Sequence, residues 1–188
     1  KWQAIVGRGL AAGKSSQQIK AQLQSITGQR LVYSLESDPA VEANVKNLLA
    51  KKRPYNPTGP AKGPHIRVSE GELGSLDGQD KLTIVGHGGE STFGGKSAEQ
   101  LAAHLKQAGV TALGTLSLKG CDSAVFARDL LSELQAQGIS VGRITGRDGE
   151  VTITSSGRTL VRKDGSWMHQ APSTKQEITS GVGGGASA

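Results

Sequence analysis

Two short runs of apolar and β-branched residues set the pattern of the chain, Leu82-Thr-Ile-Val85 and Leu116-Ser-Leu118. Each ends near a glycine, and each glycine precedes a residue with the chemistry of a base or a nucleophile: Gly86-His87-Gly88 and Gly120-Cys121-Asp122. Such runs, bounded by glycine, predict buried strands. Between them Ser97 and Gln100 form a capping box and Gly109 is a natural stop, so the intervening segment predicts a helix. A strand–helix–strand unit of this length crosses over right-handed and returns its second strand parallel to the first. If the two strands are neighbours, His87 and Cys121 face each other across the carboxyl edge of a parallel sheet, where open α/β folds place their ligands. That is the arrangement of a Cys/His protease dyad.

The same pattern extends to both sides. Trp2 to Val6 reads as a strand, Gly7 to Gly13 as an exposed glycine-rich loop open to cleavage, and Ser15 to Ile26 as a helix with Ile19, Leu23 and Ile26 on one face. Leu31 to Leu35 alternates as a strand. Asp38-Pro39 starts a helix with aspartate at the N-cap, Val41, Val45, Leu48 and Leu49 inward, and the basic cluster Lys51-Lys52-Arg53 at its negative end. The proline-rich run 54–64 is an irregular connector, and His65 to Ser69 a further strand. After Cys121 a helix is expected with Ser123 as its cap and Gly138 as its stop, followed by a strand over Ile139 to Thr145. From Glu150 onward, short alternating runs separated by Ser155-Ser-Gly157 and Asp164-Gly165 predict an antiparallel meander. Beyond Ala171 the polar, glycine-rich chain predicts a mobile tail or linker. The organisation expected is a 1–30 processing-site segment and helix, a 31–170 catalytic domain and a 171–188 tail.

Composition narrows this picture without changing it. The 188 residues suit one α/β domain, and no apolar run approaches membrane-spanning length. The numbering opens on Lys1, which reads as an excised piece of something larger. A single cysteine forms no internal disulfide, so the fold does not depend on an oxidising compartment and a catalytic thiol becomes a natural reading. The formal charge of +6 attracts polyanions. His65, His104 and His169 show no ligand spacing, so no metal is expected.

Several pieces carry a resemblance when taken together: Glu36-Ser-Asp-Pro-Ala-Val41, Asn47-Leu-Leu-Ala-Lys51, Leu76-Asp-Gly78, Ile84-Val-Gly-His-Gly88, Gly95-Lys-Ser-Ala-Glu-Gln-Leu101, Gly120-Cys121, Gly146-Arg-Asp-Gly-Glu-Val151, Gly157-Arg158 and Asp164-Gly-Ser-Trp167. In this order they resemble the autoprocessing cysteine protease domain of multifunctional autoprocessing RTX toxins and of the large clostridial glucosylating toxins, a caspase-like branch. The resemblance implies a mostly parallel caspase-like sheet flanked by helices, with the meander as a C-terminal flap. It implies Cys121 as nucleophile, His87 as catalytic histidine and Asp38 as the acid that orients it. It further implies self-cleavage after leucine, with Leu10 and Ala11 flanking the cut, and activation by inositol hexakisphosphate. Lys51, Arg147, Arg158 and either Arg162 or Lys163 are the cations it singles out, with Lys52, Arg53 and Arg67 beside them. Trp167 would couple that site to the catalytic edge or pack in the core.

The expected partners are the chain's own polypeptide and a host polyphosphate, with no nucleic acid and no membrane contact. The expected state is a monomer, from a secreted or injected bacterial virulence protein acting in the host cytosol. Two departures stand out. Gly89 occupies a position that is basic in the RTX branch, and the segment from Cys121 to Arg143 is compact, so a smaller cofactor site or another polyanion is expected.

The chemistry follows from the pairing. A thiolate is the attacking species, and a helix N-terminus and a nearby histidine favour it. Backbone N–H groups at Gly88 and Cys121 would form the oxyanion hole, and His87 would protonate the leaving amine. The competing reading is a non-catalytic polyanion-binding module with the same fold and basic face.

Overall fold

The computed structural model describes residues 2–15, 17–19, 28–51, 64–169 and 175–178. Strands β1 (Arg30–Ser34), β2 (His65–Arg67), β3 (Lys81–Val85), β5 (Thr115–Lys119), β7 (Ile144–Arg147) and β11 (Lys175–Ile178) form the main sheet in the order β11-β7-β5-β3-β1-β2. Five are parallel, and only β11 runs antiparallel, against β7. Two short strands, β4 (Ala112–Leu113) and β6 (Ser140–Val141), pair beside it. A separate antiparallel sheet holds β8 (Glu150–Ile153), β9 (Thr159–Lys163) and β10 (Ser166–His169) in the order β10-β9-β8.

Alternation along the strands sorts the two faces. Leu31, Tyr33, Leu82, Ile84, Leu116, Leu118 and Ile144 enter one core with Leu101 and Leu105 of α3 (Ala98–Gln107) and Phe126, Leu130 and Leu134 of α4 (Ser123–Ala136). On the opposite face Val32 and Val85 pack with Val41, Val45 and Leu48 of α2 (Pro39–Leu49) and with Ile153 of β8. Further along this second face the inward positions are polar. Thr83, Ser117 and Thr145 are register partners across β3, β5 and β7, and each is buried.

Local signals act where expected. Ser97 Oγ accepts from Gln100 N–H and Gln100 Oε1 accepts from Ser97 N–H, starting α3. Ser15 and Gln18 make the same reciprocal pair ahead of the short helical stretch 17–19; the rest of the helix expected to Ile26 lies outside the described residues, as do 54–63 of the connector. Asp164 and Gly165, at φ 53° and 81°, form the tight turn between β9 and β10.

Four expectations are corrected. Trp2–Ala11 is a helix, α1, where a strand and an exposed loop were read. A helix satisfies its backbone within the segment, whereas a strand needs a partner edge, and Gly13 at φ 71° follows as its left-handed stop. Lys175–Ile178 forms β11 on the free edge of β7 instead of a mobile tail. The strand over Ile139 to Thr145 is split into β6 and β7 around Gly142, where a Cβ would stand 2.8 Å from Gly114 O. Ser123 is the first helical residue of α4, not its cap. Its hydroxyl donates to Gly120 O at 2.9 Å and accepts from Arg147 N–H at 3.0 Å.

Candidate active site

The candidate catalytic rim is built from the carboxyl ends of β3 and β5. Val85 and Lys119 are register partners, so His87 and Cys121 each stand two residues past a paired position on adjacent parallel strands. Glycines close the gap between the two tips. A Cβ on Gly120 would stand 2.5 Å from Gly86 O and 2.6 Å from the Phe93 ring, and one on Gly88 would stand 2.2 Å from Cys121 O. Only glycine permits this approach, and it sets the backbone of Gly88 directly against that of Cys121.

His87 is exposed and held from two directions. Its Nε2 lies 3.3 Å from Asp38 Oδ1, and its backbone N–H donates to Glu36 Oε2 at 2.7 Å. Asp38 is at once the N-cap of α2, accepting from the N–H groups of Ala40 at 2.8 Å and Val41 at 3.3 Å. Those two amides, and then His87, hold its carboxyl below the usual aspartate range. Glu36 escaped sequence reasoning as a site residue. The signal available was its place two residues before the cap, which puts two carboxylates on one short segment.

Cys121 is half-buried. Its Sγ accepts from the Val151 N–H of β8 at 3.3 Å, and the next residue, Asp122, donates its N–H to Gly149 O at 3.0 Å. Asp122 sits at φ 45°, a left-handed turn that joins the strand tip to the N-terminus of α4. Asn44 and Asn47 of α2 hold the other end of β8: Asn44 Oδ1 accepts from Ile153 N–H at 3.0 Å, and Asn47 Nδ2 donates to Ile153 O at 2.7 Å.

Beneath the flap, on the polar part of the second face, lies a cavity of about 300 Å³. Thr83, Ser117 and Thr145 line it, with Arg30, Lys81, Lys119 and Arg147 from the strands, Lys51 from the end of α2, His65 from β2, and Arg158 and Thr159 from the flap. No carboxylate is among the lining residues. Arg147 is 1 % exposed, and burial pushes its guanidinium down to about 10. Arg30 Nη1 is buried with no hydrogen-bond partner among the described residues. A basic cavity lined by one fully buried guanidinium and several partly exposed cations, with no acid in its lining, has the chemistry to suit a dense anion.

Comparison with known proteins agrees with this architecture. The model of the peptidase C80 family matches residues 25–162. The chain belongs to that family, the autoprocessing cysteine protease domain of RTX and clostridial toxins. A search of curated proteins finds no match. Cysteine protease activity is what membership in the peptidase C80 family implies, and among the described residues no helix is long and apolar enough to cross a membrane.

Within this peptidase C80 domain the cations named from sequence divide into two groups. Lys51, Arg147 and Arg158 line the cavity. Arg67 instead makes a bidentate pair with Glu42 at 2.7 and 2.6 Å, Arg162 pairs with Glu150, and Lys163 with Asp148, all on exposed surface. Lys52 and Arg53 lie outside the described residues. Trp167 is 43 % exposed with the Arg162 guanidinium 5.2 Å from its ring centroid, so it is not a core residue. The sequence reading missed Arg30, Lys81 and Lys119, which are single cations spaced along strands. Leu10 is exposed and, with Ala11, ends α1.

Proposed function

We propose that this chain is an autoprocessing cysteine endopeptidase that cuts its own polypeptide between Leu10 and Ala11, switched on by inositol hexakisphosphate. The observation that carries the reading is the placement of His87 and Cys121 two residues past register-matched positions on adjacent parallel strands, in a chain of this peptidase family. Leu10 is presented on the last turn of α1, which frays at low cost and so can reach the extended form a protease needs.

The Cys121 thiol passes its proton to His87, and the sulfur attacks the Leu10 carbonyl carbon. The oxygen of the tetrahedral intermediate sits beside the N–H groups of Gly88 and Cys121, where two glycine tips admit a substrate closely. His87 then protonates the Ala11 nitrogen as the C–N bond breaks, leaving an acyl-enzyme on Sγ. Water, deprotonated by His87, releases the Leu10 carboxylate and restores the thiol. Asp38 orients the ring through Nε2.

The cavity suits a compact polyphosphate through the buried Arg147, the half-buried Arg30 and the exposed Arg158, its row of hydroxyls and its lack of acids. Bound there, such a ligand brings its negative charge among Arg30, Lys51, Lys81, Lys119, Arg147 and Arg158. Because those residues come from the sheet, α2 and the flap, their convergence favours the conformation in which β8 is seated beside Cys121. The setting is a secreted or injected toxin, with activation in the cytosol of a target cell and release of an attached effector.

The test is to incubate the chain with inositol hexakisphosphate and sequence the new N-terminus. Ala11 as the first residue, and no cleavage in Cys121→Ala, is the expected result. Continued cleavage in Cys121→Ala overturns the mechanism. Failure of a leucine chloromethyl ketone to label Cys121 in the presence of the activator favours the non-catalytic binding module instead.

A further inference from the structure

We propose that the peptide N–H of Val151 is itself a catalytic group, a fixed donor to the Cys121 thiolate that makes the nucleophile's ionisation depend on the seating of β8. The inference rests on Cys121 being the nucleophile. It concerns what holds the sulfur's charge, which the histidine pairing leaves open.

The geometry begins with the strand edge. In an antiparallel strand the backbone groups of alternate residues point the same way, so Val151 and Ile153 share the edge of β8 turned from β9. At Ile153 that edge is taken up by Asn44 and Asn47 of α2. At Val151 it meets Sγ of Cys121, at 3.3 Å. A second bond runs in the opposite sense, from Asp122 N–H to Gly149 O at 3.0 Å. The two bonds lock residues 121–122 to 149–151, and neither involves a side chain other than the thiol.

Gly149 makes this path possible. Its φ is 127°, and a Cβ there would stand 2.5 Å from Arg162 O. The backbone can therefore lie flat on β9 and still turn its carbonyl to Asp122 and its next strand residue but one to Sγ.

A neutral thiol is a weak acceptor, so a structural bond of this kind would contribute little. A bond to an ionised acceptor is roughly twice as strong as a neutral one. The interaction therefore discriminates between the two states of the sulfur, and favours the thiolate. The proton released goes to His87 or to solvent, and no other bond changes. As the sulfur adds to the substrate carbonyl its charge is lost and the N–H is released.

The chain's one cysteine gives a clean readout, because every alkylation event reports Cys121. The rate of iodoacetamide alkylation is measured against pH for the full chain and for Val151→Pro and Val151→Ala. Proline removes the N–H on the edge that β9 does not use, while alanine shortens the side chain and keeps the donor. The midpoint in Val151→Pro is expected to lie roughly one pH unit above that in Val151→Ala. Coincident profiles in two folded variants overturn the proposal.

Should the proline variant not fold, the Val151 amide resonance of the unsubstituted chain is followed through the same pH range. A proton shift that tracks the alkylation midpoint, and vanishes in Cys121→Ala, sustains the proposal, and an amide that does not respond overturns it. Neither readout requires turnover, so failure here is distinct from failure of the cleavage reading, which Cys121→Ala decides by whether processing stops.

Discussion

Gly88 rests with its α-carbon against the peptide of Cys121, close enough that a Cβ would stand 2.2 Å from the Cys121 carbonyl oxygen and 2.7 Å from its nitrogen. The obstruction is backbone, so it cannot be relieved by a side-chain rotation. Gly88→Ala must push the two strand tips apart at the point where the oxyanion would form. A displacement of about 1 Å there costs on the order of 10²-fold in rate. Self-cleavage in Gly88→Ala is expected to fall by at least about that factor, measured as the rate of precursor loss at saturating activator, while circular dichroism retains the α/β spectrum.

Asp38 does two things with one carboxylate, and two substitutions separate them. It caps α2 through the N–H groups of Ala40 and Val41, and it faces His87 Nε2 at 3.3 Å. Asp38→Asn keeps a good cap but loses the charge, so helix stability is retained while cleavage slows. Asp38→Ala loses both, and melts at lower temperature than Asp38→Asn. Because the folded-state carboxyl is held below its ordinary value, chiefly by the two amides, its contribution to stability is fully present above the usual aspartate range. It is lost as the pH falls through the depressed value. Melting temperatures recorded across acid pH should therefore fall less steeply in Asp38→Asn than in the parent chain.

Arg147 is buried beneath the flap, and burial alone lowers its proton affinity to about 10. At neutral pH it remains charged, so the folded state carries the cost of desolvating it. Between about 10 and the ordinary arginine range the unfolded chain binds the proton more tightly, and stability rises with pH. Arg147→Met fills similar space without charge, and such replacements are often neutral or stabilising. In the absence of polyanion the variant should melt at the same temperature as the parent or higher. The rise in melting temperature on adding inositol hexakisphosphate should be largely lost. A variant that is both less stable alone and fully responsive to the ligand would contradict the assignment of the cavity.

How much of this was legible beforehand depends on the range of each signal. The Ser97/Gln100 box, Asp38-Pro39 and Asp164-Gly165 act within a few residues, and the structure places α3, α2 and the β9–β10 turn at those positions. The strand status of Trp2 to Val6 and the absence of one at Lys175–Ile178 were misread because a strand is defined by its partner, which local pattern does not supply. Arg67, Arg162 and Lys163 drew notice as part of basic stretches, yet Glu42, Glu150 and Asp148 take them up on the surface. Arg30, Lys81 and Lys119 are not among the cations named from sequence. They converge only because β1, β3 and β5 are adjacent, a fact of sheet order that linear spacing does not carry.

Asn47 offers a test of how the cavity speaks to the rim. Its amide donates to Ile153 O at 2.7 Å, holding β8 on α2, and it does not line the cavity. Nearby, Gly157 of the flap lies so tightly on the end of α2 that a Cβ would stand 2.5 Å from Lys51 Cβ, so the flap's seating and the cavity's shape are one event. Removing a single neutral hydrogen bond costs about 1 kcal/mol, or several-fold in an equilibrium. If activation is a population shift, Asn47→Ala depletes the seated state before the ligand arrives and lowers the ligand's apparent affinity by that same factor. The half-activating concentration of inositol hexakisphosphate should then rise roughly fivefold, with cleavage at saturation close to that of the parent. A lower plateau at an unchanged half-activating concentration would place Asn47 in the chemical step and not in the switch.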